Sequence, residues 1–125
     1  MKSYTDLEQS KKLAEILPAE SADMCWGIDD DTMQYDDKPY LNPYKNYTAK
    51  EYYIPCWSLA ALLKVLPTID DGNRNPVICK DIRLNKWHVV YHGTVVEPTI
   101  DSGVYDSLID ATVEMIVKLK ERDLI

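Results

Sequence analysis

The sequence predicts an α+β fold: an antiparallel β-hairpin or meander over about residues 77–97, packed against two or three helices at 5–17, 58–66 and 107–122. Three observations carry this. Behind Ser58, a good N-cap, Leu59, Leu62, Leu63 and Leu66 recur at i, i+3, i+4 and i+7, one face of a helix that Pro67 ends. Behind Ser107, Leu108, Ile109, Thr112, Met115, Ile116 and Leu119 draw a wide apolar stripe. Between them, Trp87, Val89 and Tyr91 alternate as the inward face of a strand does.

Taken in order, residues 5–17 read as a helix. Thr5 followed by Glu8 fits a capping box, Leu7, Leu13, Ala14 and Leu17 supply a narrow apolar face, and Pro18 stops it. Residues 23–28 are a short strand candidate. Residues 29–51 show neither a period of 2 nor one of 3.6. They carry Asp29, Asp30, Asp31, Asp36 and Asp37, then Pro39 and Pro43, interleaved with Tyr35, Tyr40, Tyr44 and Tyr47. A structureless stretch of this length in a compact domain is usually functional or disordered. Pro55 and Trp57 set the entry to the leucine helix. Asp70-Asp71-Gly72-Asn73 has turn composition. Residues 77–84 and 87–91 read as strands, and His92-Gly93 before Thr94-Val95-Val96 reads as a tight hairpin turn. In the last helix acids come early (Asp110, Glu114) and bases late (Lys118, Lys120, Arg122), as the helix dipole favours.

The totals narrow the class. A chain of 125 residues without repeats or a dividing linker is expected to form a single domain, 1–125. Phe is absent, and nine Tyr and three Trp supply the aromatic volume, leaving many hydroxyls to satisfy or display. Cys25, Cys56 and Cys79 are odd in number and widely spaced, which argues against a disulfide framework and for a reducing compartment. No apolar run approaches a membrane span, and the first residues lack the apolar core of a secretion signal. The expectation is a cytoplasmic protein. A net charge of −7 disfavours nucleic acid and suits either solubility or a basic partner surface.

No chemistry stands out. His88 and His92 share a face only on a helix; on a strand they lie roughly 13 Å apart, too far for one ion. The aspartates at 29–31 and 36–37 lack the Gly and Glu that an EF-hand loop requires. Neither a metal nor another cofactor is expected. Cys56 precedes a helix N-terminus, where a thiol pKa falls, but its plain reading is a small buried hydrophobe. Arg74, Lys80, Arg83 and Lys86 make a local positive segment beside Trp87, His88, Tyr91 and His92. Guanidinium and aromatic surface suit a phosphorylated or planar ligand, while the plain reading is a solvated hairpin with Trp87 and Tyr91 in the core. The tyrosines from Tyr35 to Tyr53 either form a recognition surface or pack the loop onto the core.

The run Ile54–Pro67, with Val90-Tyr91-His92-Gly93 and Asp110–Ile116, resembles small uncharacterised proteins encoded by bacteriophages and mobile elements of gut bacteria. The resemblance covers residues 54–119, echoes weakly at Leu13–Leu17, and leaves out the Asp/Tyr loop. It carries no catalytic motif. It implies a genomic setting in which small accessory proteins bind and neutralise host factors.

The leading expectation is therefore a non-enzymatic binding protein that holds a host protein through Asp30, Asp31, Tyr35, Asp36, Asp37, Tyr40, Tyr44 and Tyr47. The alternative is a sequestering protein for a small nucleotide-like ligand, using Arg83, Lys86, Trp87, His88 and His92. A cysteine hydrolase built on Cys56 ranks third. The exposed tyrosines are also compatible with a homodimer, which nothing in the pattern requires.

Overall fold

The computed structural model describes residues 2–28, 32–41 and 53–125. Among the described residues, three α-helices and two three-stranded antiparallel sheets place the chain in the α+β class. Its contacts divide it into two compact units, Ser3–Leu62 and Leu63–Ile125, the second also taking in Lys2; the division falls inside the second α-helix.

In the N-terminal unit, α1 (Leu7–Ala14) is entered through a capping box one residue later than the sequence suggests. Asp6 accepts from the Gln9 N–H at 2.8 Å, and the Asp6 N–H donates to Gln9 Oε1 at 3.1 Å. Thr5 is unavailable for capping because its hydroxyl is buried and engaged elsewhere. It shares a 2.7 Å hydrogen bond with Ser10 and accepts from the Trp57 N–H at 3.1 Å. The helix stops at Ala14, short of the expected Leu17. Ala14 is exposed, and Ser10 joins Leu13 on the buried face.

The central strand of the first sheet is β1 (Met24–Gly27), flanked by β2 (Tyr40–Leu41) and β3 (Tyr53–Cys56). Met24 faces Leu41 on one side and Cys56 on the other. All four residues of β1 are buried, so the strand shows no alternation. Pro55, which has no N–H to donate, sits on β3 at the sheet edge, where a proline is tolerated. Met24, Trp26 and Cys56 form the core with Leu7, Tyr35 and Ile54, and Tyr4 meets Trp26 edge to face at 6.1 Å. Ser58 caps α2 (Leu59–Val65) by accepting from the Ala61 N–H at 3.2 Å, while its own N–H donates to Asp23 at 2.9 Å.

In the C-terminal unit, β4 (Val77–Asp81), β5 (Lys86–Tyr91) and β6 (Ile100–Asp101) form an antiparallel meander in that order. Helix α3 (Leu108–Glu121) packs on β5 and is capped by Ser107, which accepts from the Asp110 N–H at 3.0 Å. Trp87, Val89 and Tyr91 face inward as expected. They pack with Ile69, Ile100, Ala111, Met115 and Leu119. Asp70, Asp71 and Gly72 take consecutive left-handed conformations in the turn their composition predicts.

The hairpin lies elsewhere than His92-Gly93. The chain reverses between β4 and β5 at 82–85, where Asn85 is left-handed (φ 53°) and the Asp81 carboxylate accepts from the N–H groups of Arg83 and Leu84. The expected strand 77–84 therefore ends at Asp81, and residues 94–96 form no strand. After Tyr91 the chain makes an eight-residue excursion to β6, because Thr94 and Glu97 close their own turn and Pro98 cannot donate to a ladder. Gly93 is required there by crowding. A Cβ would stand 2.7 Å from the Glu97 carbonyl oxygen and 2.8 Å from the Thr99 nitrogen. Gly93→Ala is expected to destabilise the protein by about 1–3 kcal/mol, read as a lower urea midpoint at unchanged m-value.

Candidate functional site

Of the expected partner-binding residues, Tyr35, Asp36, Asp37 and Tyr40 fall among the described residues; Asp30, Asp31, Tyr44 and Tyr47 lie outside them. Three of the described four, Tyr35, Asp36 and Tyr40, are held by the edge of the first sheet. Tyr35 bridges Ile28, packs against the N-terminal core and lies beneath Lys11, whose Nζ is 5.3 Å from the ring centroid. The Asp36 N–H donates to the Gly27 carbonyl at 3.0 Å, and the Asp36 carboxylate accepts from the Tyr40 hydroxyl. Tyr40 pairs with Cys25 in the sheet, and its ring crosses Gly27 so closely that a Cβ there would come within 2.9 Å of it. The glycine is what lets the ring lie flat across the strand. Asp37 points into solvent.

Two exposed apolar residues of this unit are not among those the sequence singles out: Leu41, 80% exposed, follows Tyr40 (48%) on β2 and by strand alternation projects from its other face, and Met33, 63% exposed, lies in the chain before Tyr35. A charge-and-tyrosine pattern does not single them out, since a lone Leu or Met beside a polar run looks like a core contact. The result is an apolar and aromatic edge with carboxylates at its margin, a composition suited to a protein contact.

The five residues of the small-ligand alternative do not converge. Lys86 and His88 project from one face of β5 and Trp87 from the other, by strand alternation. Each is already engaged: Lys86 lies 3.6 Å from Asp106, His88 Nδ1 lies 3.2 Å from Asp101, and Trp87 packs in the core with Lys80 Nζ 5.1 Å from its ring. Arg83 sits on the 82–85 turn, and the His92 carbonyl is bound by Arg74. Arg74 leaves the positive segment altogether. It is buried, and it donates to the carbonyls of Tyr91, His92 and Pro98 and to Asp70. A cleft of about 200 Å³ beside it mixes Asp70 and Glu97 with Arg122, so it offers no excess of positive charge to a phosphate.

Cysteine chemistry finds no support. Cys56 is buried, its thiol donates to the Thr5 carbonyl at 3.4 Å, and burial pushes its pKa up, away from the thiolate. Burial also raises Cys25, to about 11. Among the described residues, no three of His, Cys, Asp or Glu come together as a metal centre, and no helix is long and apolar enough to cross a membrane. Comparison with protein-family models, curated proteins and solved structures finds no match to this chain.

Two outcomes follow. Arg74→Met leaves three carbonyls and Asp70 without their donor and is expected to lower stability by about 3 kcal/mol, with Arg74→Lys recovering little of it, by chemical denaturation. Alkaline pH has a definite sign. The folded state keeps the Cys25 thiol and the Tyr91 phenol protonated to about 11 and about 12, above their ordinary values of 9.0 and 10.0. Between those limits the unfolded chain has lost these protons and the folded one has not. Stability should therefore be intact below pH 9 and fall as pH rises towards 12, and Tyr91→Phe should flatten the upper part of that fall.

Proposed function

We propose that the chain is a non-enzymatic binding protein whose contact surface is the Met33–Tyr35–Asp36–Asp37–Tyr40–Leu41 edge of the N-terminal unit, and that it occupies a basic protein partner. The observation that carries this reading is the exposure of Tyr40 and Leu41 on an edge strand of two residues, reached through Asp36 and exposed Asp37, with Met33 exposed further back in the same stretch of chain. Large apolar side chains grouped at the surface mark interaction sites when polar residues rim them. The tyrosine adds rigid contact area with few rotamers to freeze. The net charge of −7 favours a partner of opposite sign and speeds its encounter. The host-factor setting, with neutralisation as the outcome, rests on the resemblance of residues 54–119 to phage and mobile-element proteins.

The small-ligand reading has weaker support, because its residues are split between two faces of β5 and three of them have internal partners. The test is affinity capture of the tagged full-length protein from its natural host, comparing the wild type with Asp37→Lys/Leu41→Ser. Both side chains are exposed, so melting should be unchanged while recovery of a specific partner falls at least about tenfold. Undiminished recovery removes this surface from the function. A wild-type preparation that carries a bound small molecule, seen by native mass spectrometry, would replace the reading with the ligand alternative.

A further inference from the structure

The excursion between β5 and β6 is both exposed and internally bonded. All eight residues from 92 to 99 are exposed, so the segment buries no apolar side chain of its own. It is nevertheless tied at both ends and across its middle. Buried Arg74 donates to the carbonyls of His92 and Pro98, each at 2.8 Å. The Gly93 N–H donates to Thr99 Oγ1 at 2.9 Å, and the Thr94 N–H donates to the Glu97 carbonyl at 2.8 Å. Thr94 Oγ1 accepts from the N–H groups of Val96 and Glu97. At the apex of this braced turn stand Val95 and Val96, 104% and 86% exposed.

A single exposed valine needs no explanation. Two adjacent β-branched side chains, both in water at the apex of a loop ordered by polar bonds alone, do. Arg74 also holds the turn at 69–74 and the end of β5, but that role does not require the Thr94–Glu97 turn to lift two valines into water. A turn that presents them pre-formed makes sense where the shape is used, because a contact already in its bound conformation loses little entropy on binding.

We propose that the 94–97 turn is a second interaction element, which inserts Val95 and Val96 into an apolar pocket, rimmed by basic or N–H donor groups, on a protein partner. The tip is convex, so its complement is concave. Glu97 beside the valines and the net charge of −7 set the sign of the rim. The same charge opposes an anionic membrane surface. Two copies meeting tip to tip about a two-fold axis would set Glu97 against Glu97, which opposes self-association through this element.

The experiment is site-specific photocrosslinking in cells of the natural host. The full-length protein carries p-benzoylphenylalanine at position 96, with position 82 as control, because Ile82 is an equally exposed apolar residue on a different turn. The result expected is one discrete protein adduct from position 96 and none from position 82. Val95→Asp in the same chain should reduce it at least about tenfold, and excess wild-type protein should compete it away while excess Val95→Asp/Val96→Ser protein does not. Val95 is fully solvated, so the melting temperature of Val95→Asp should stay within about 4 °C of wild type, which separates lost contact from lost fold. The proposal is overturned by the absence of any adduct, by the same adducts from position 82, or by an adduct indifferent to Val95→Asp. It is equally overturned by an adduct at twice the chain's mass, or by crosslinks to lipid with matching retention on vesicles of anionic phospholipid. Leu41 and its neighbours are untouched in every variant, so the surface proposed above stands or falls on its own measurement.

Discussion

A guanidinium leaves water only if counter-charge and acceptors meet it inside, and Arg74 finds both. Asp70 lies 3.1 Å from Nη1, and the Tyr91, His92 and Pro98 carbonyls take the remaining engaged donors. Those acceptors belong to three separate stretches of the C-terminal unit: the turn at 69–74, the end of β5 and the chain that returns to β6. Short strands cannot hold such a geometry alone. β6 has two residues, and its register, Tyr91 opposite Ile100 and Val90 opposite Asp101, begins directly beyond the segment the arginine fixes. A flat, five-donor group suits the task, since one rigid fork satisfies carbonyls pointing from different directions where an ammonium could not. The bridge between Ile69 and Arg74 then closes the turn that delivers the guanidinium, and the Tyr91 hydroxyl donates to the Pro67 carbonyl from the same strand end.

The N-terminal unit solves the same problem with neutral groups. Thr5, Ser10, Trp26 and Cys56 form one buried chain: Trp26 Nε1 donates to Ser10 Oγ at 3.1 Å, the Thr5 and Ser10 hydroxyls hydrogen-bond at 2.7 Å, and Cys56 exchanges bonds with Thr5. No buried side-chain nitrogen or oxygen among the described residues lacks a partner. This arrangement explains why Cys56 is a structural residue. Its sulfur is one link in this network, and although the hydrogen bonds of Thr5, Ser10 and Trp26 favour the thiolate, desolvation by burial outweighs them, keeps the thiol and makes it a poor nucleophile.

How much of this was legible depended on whether the deciding force was local. Ser58 and Ser107 read correctly because capping is settled within one turn of helix, and the leucine stripe and the stripe of α3 read correctly because a 3.6-residue period survives burial. The start of α1 slipped by one residue because Thr5, the better-looking cap, is claimed by partners as far away as Trp57. The hairpin was misplaced because the local pattern at His92-Gly93 imitates a two-residue turn, whereas the glycine is there to admit the backbone of Glu97 and Thr99. Arg74 looked like one of four neighbouring cations. Only its acceptors, 17 to 24 residues further on, distinguish it from Lys80, Arg83 and Lys86. For the candidate site, Tyr35, Asp36 and Tyr40 could be picked out by composition. Leu41 could not, because the sequence does not show which face of a two-residue strand is left open, and neither could Met33, which lies in unpatterned chain before that strand.

These failures share a cause with the functional reading. In each unit, polar groups hold apolar groups at the surface. Half-buried Asp36 accepts from Tyr40, whose ring crosses Gly27 and whose neighbour Leu41 is exposed, and buried Arg74 braces the turn that lifts Val95 and Val96 into water. A fold optimised only for its own stability does the reverse, spending polar groups on the surface and apolar ones inside. Where stability is marginal, order that returns no burial to the free chain is maintained by something outside it. An enzyme spends such order on a concave site with perturbed titrating groups. Among the described residues whose titration burial perturbs, Cys25, Cys56 and Tyr91 are enclosed and Tyr105 is half-buried, while Val95, Val96 and Leu41 stand exposed. That contrast is the physical support for the contact proposed above, because exposed apolar side chains gain from meeting a partner what they cannot gain from the free fold.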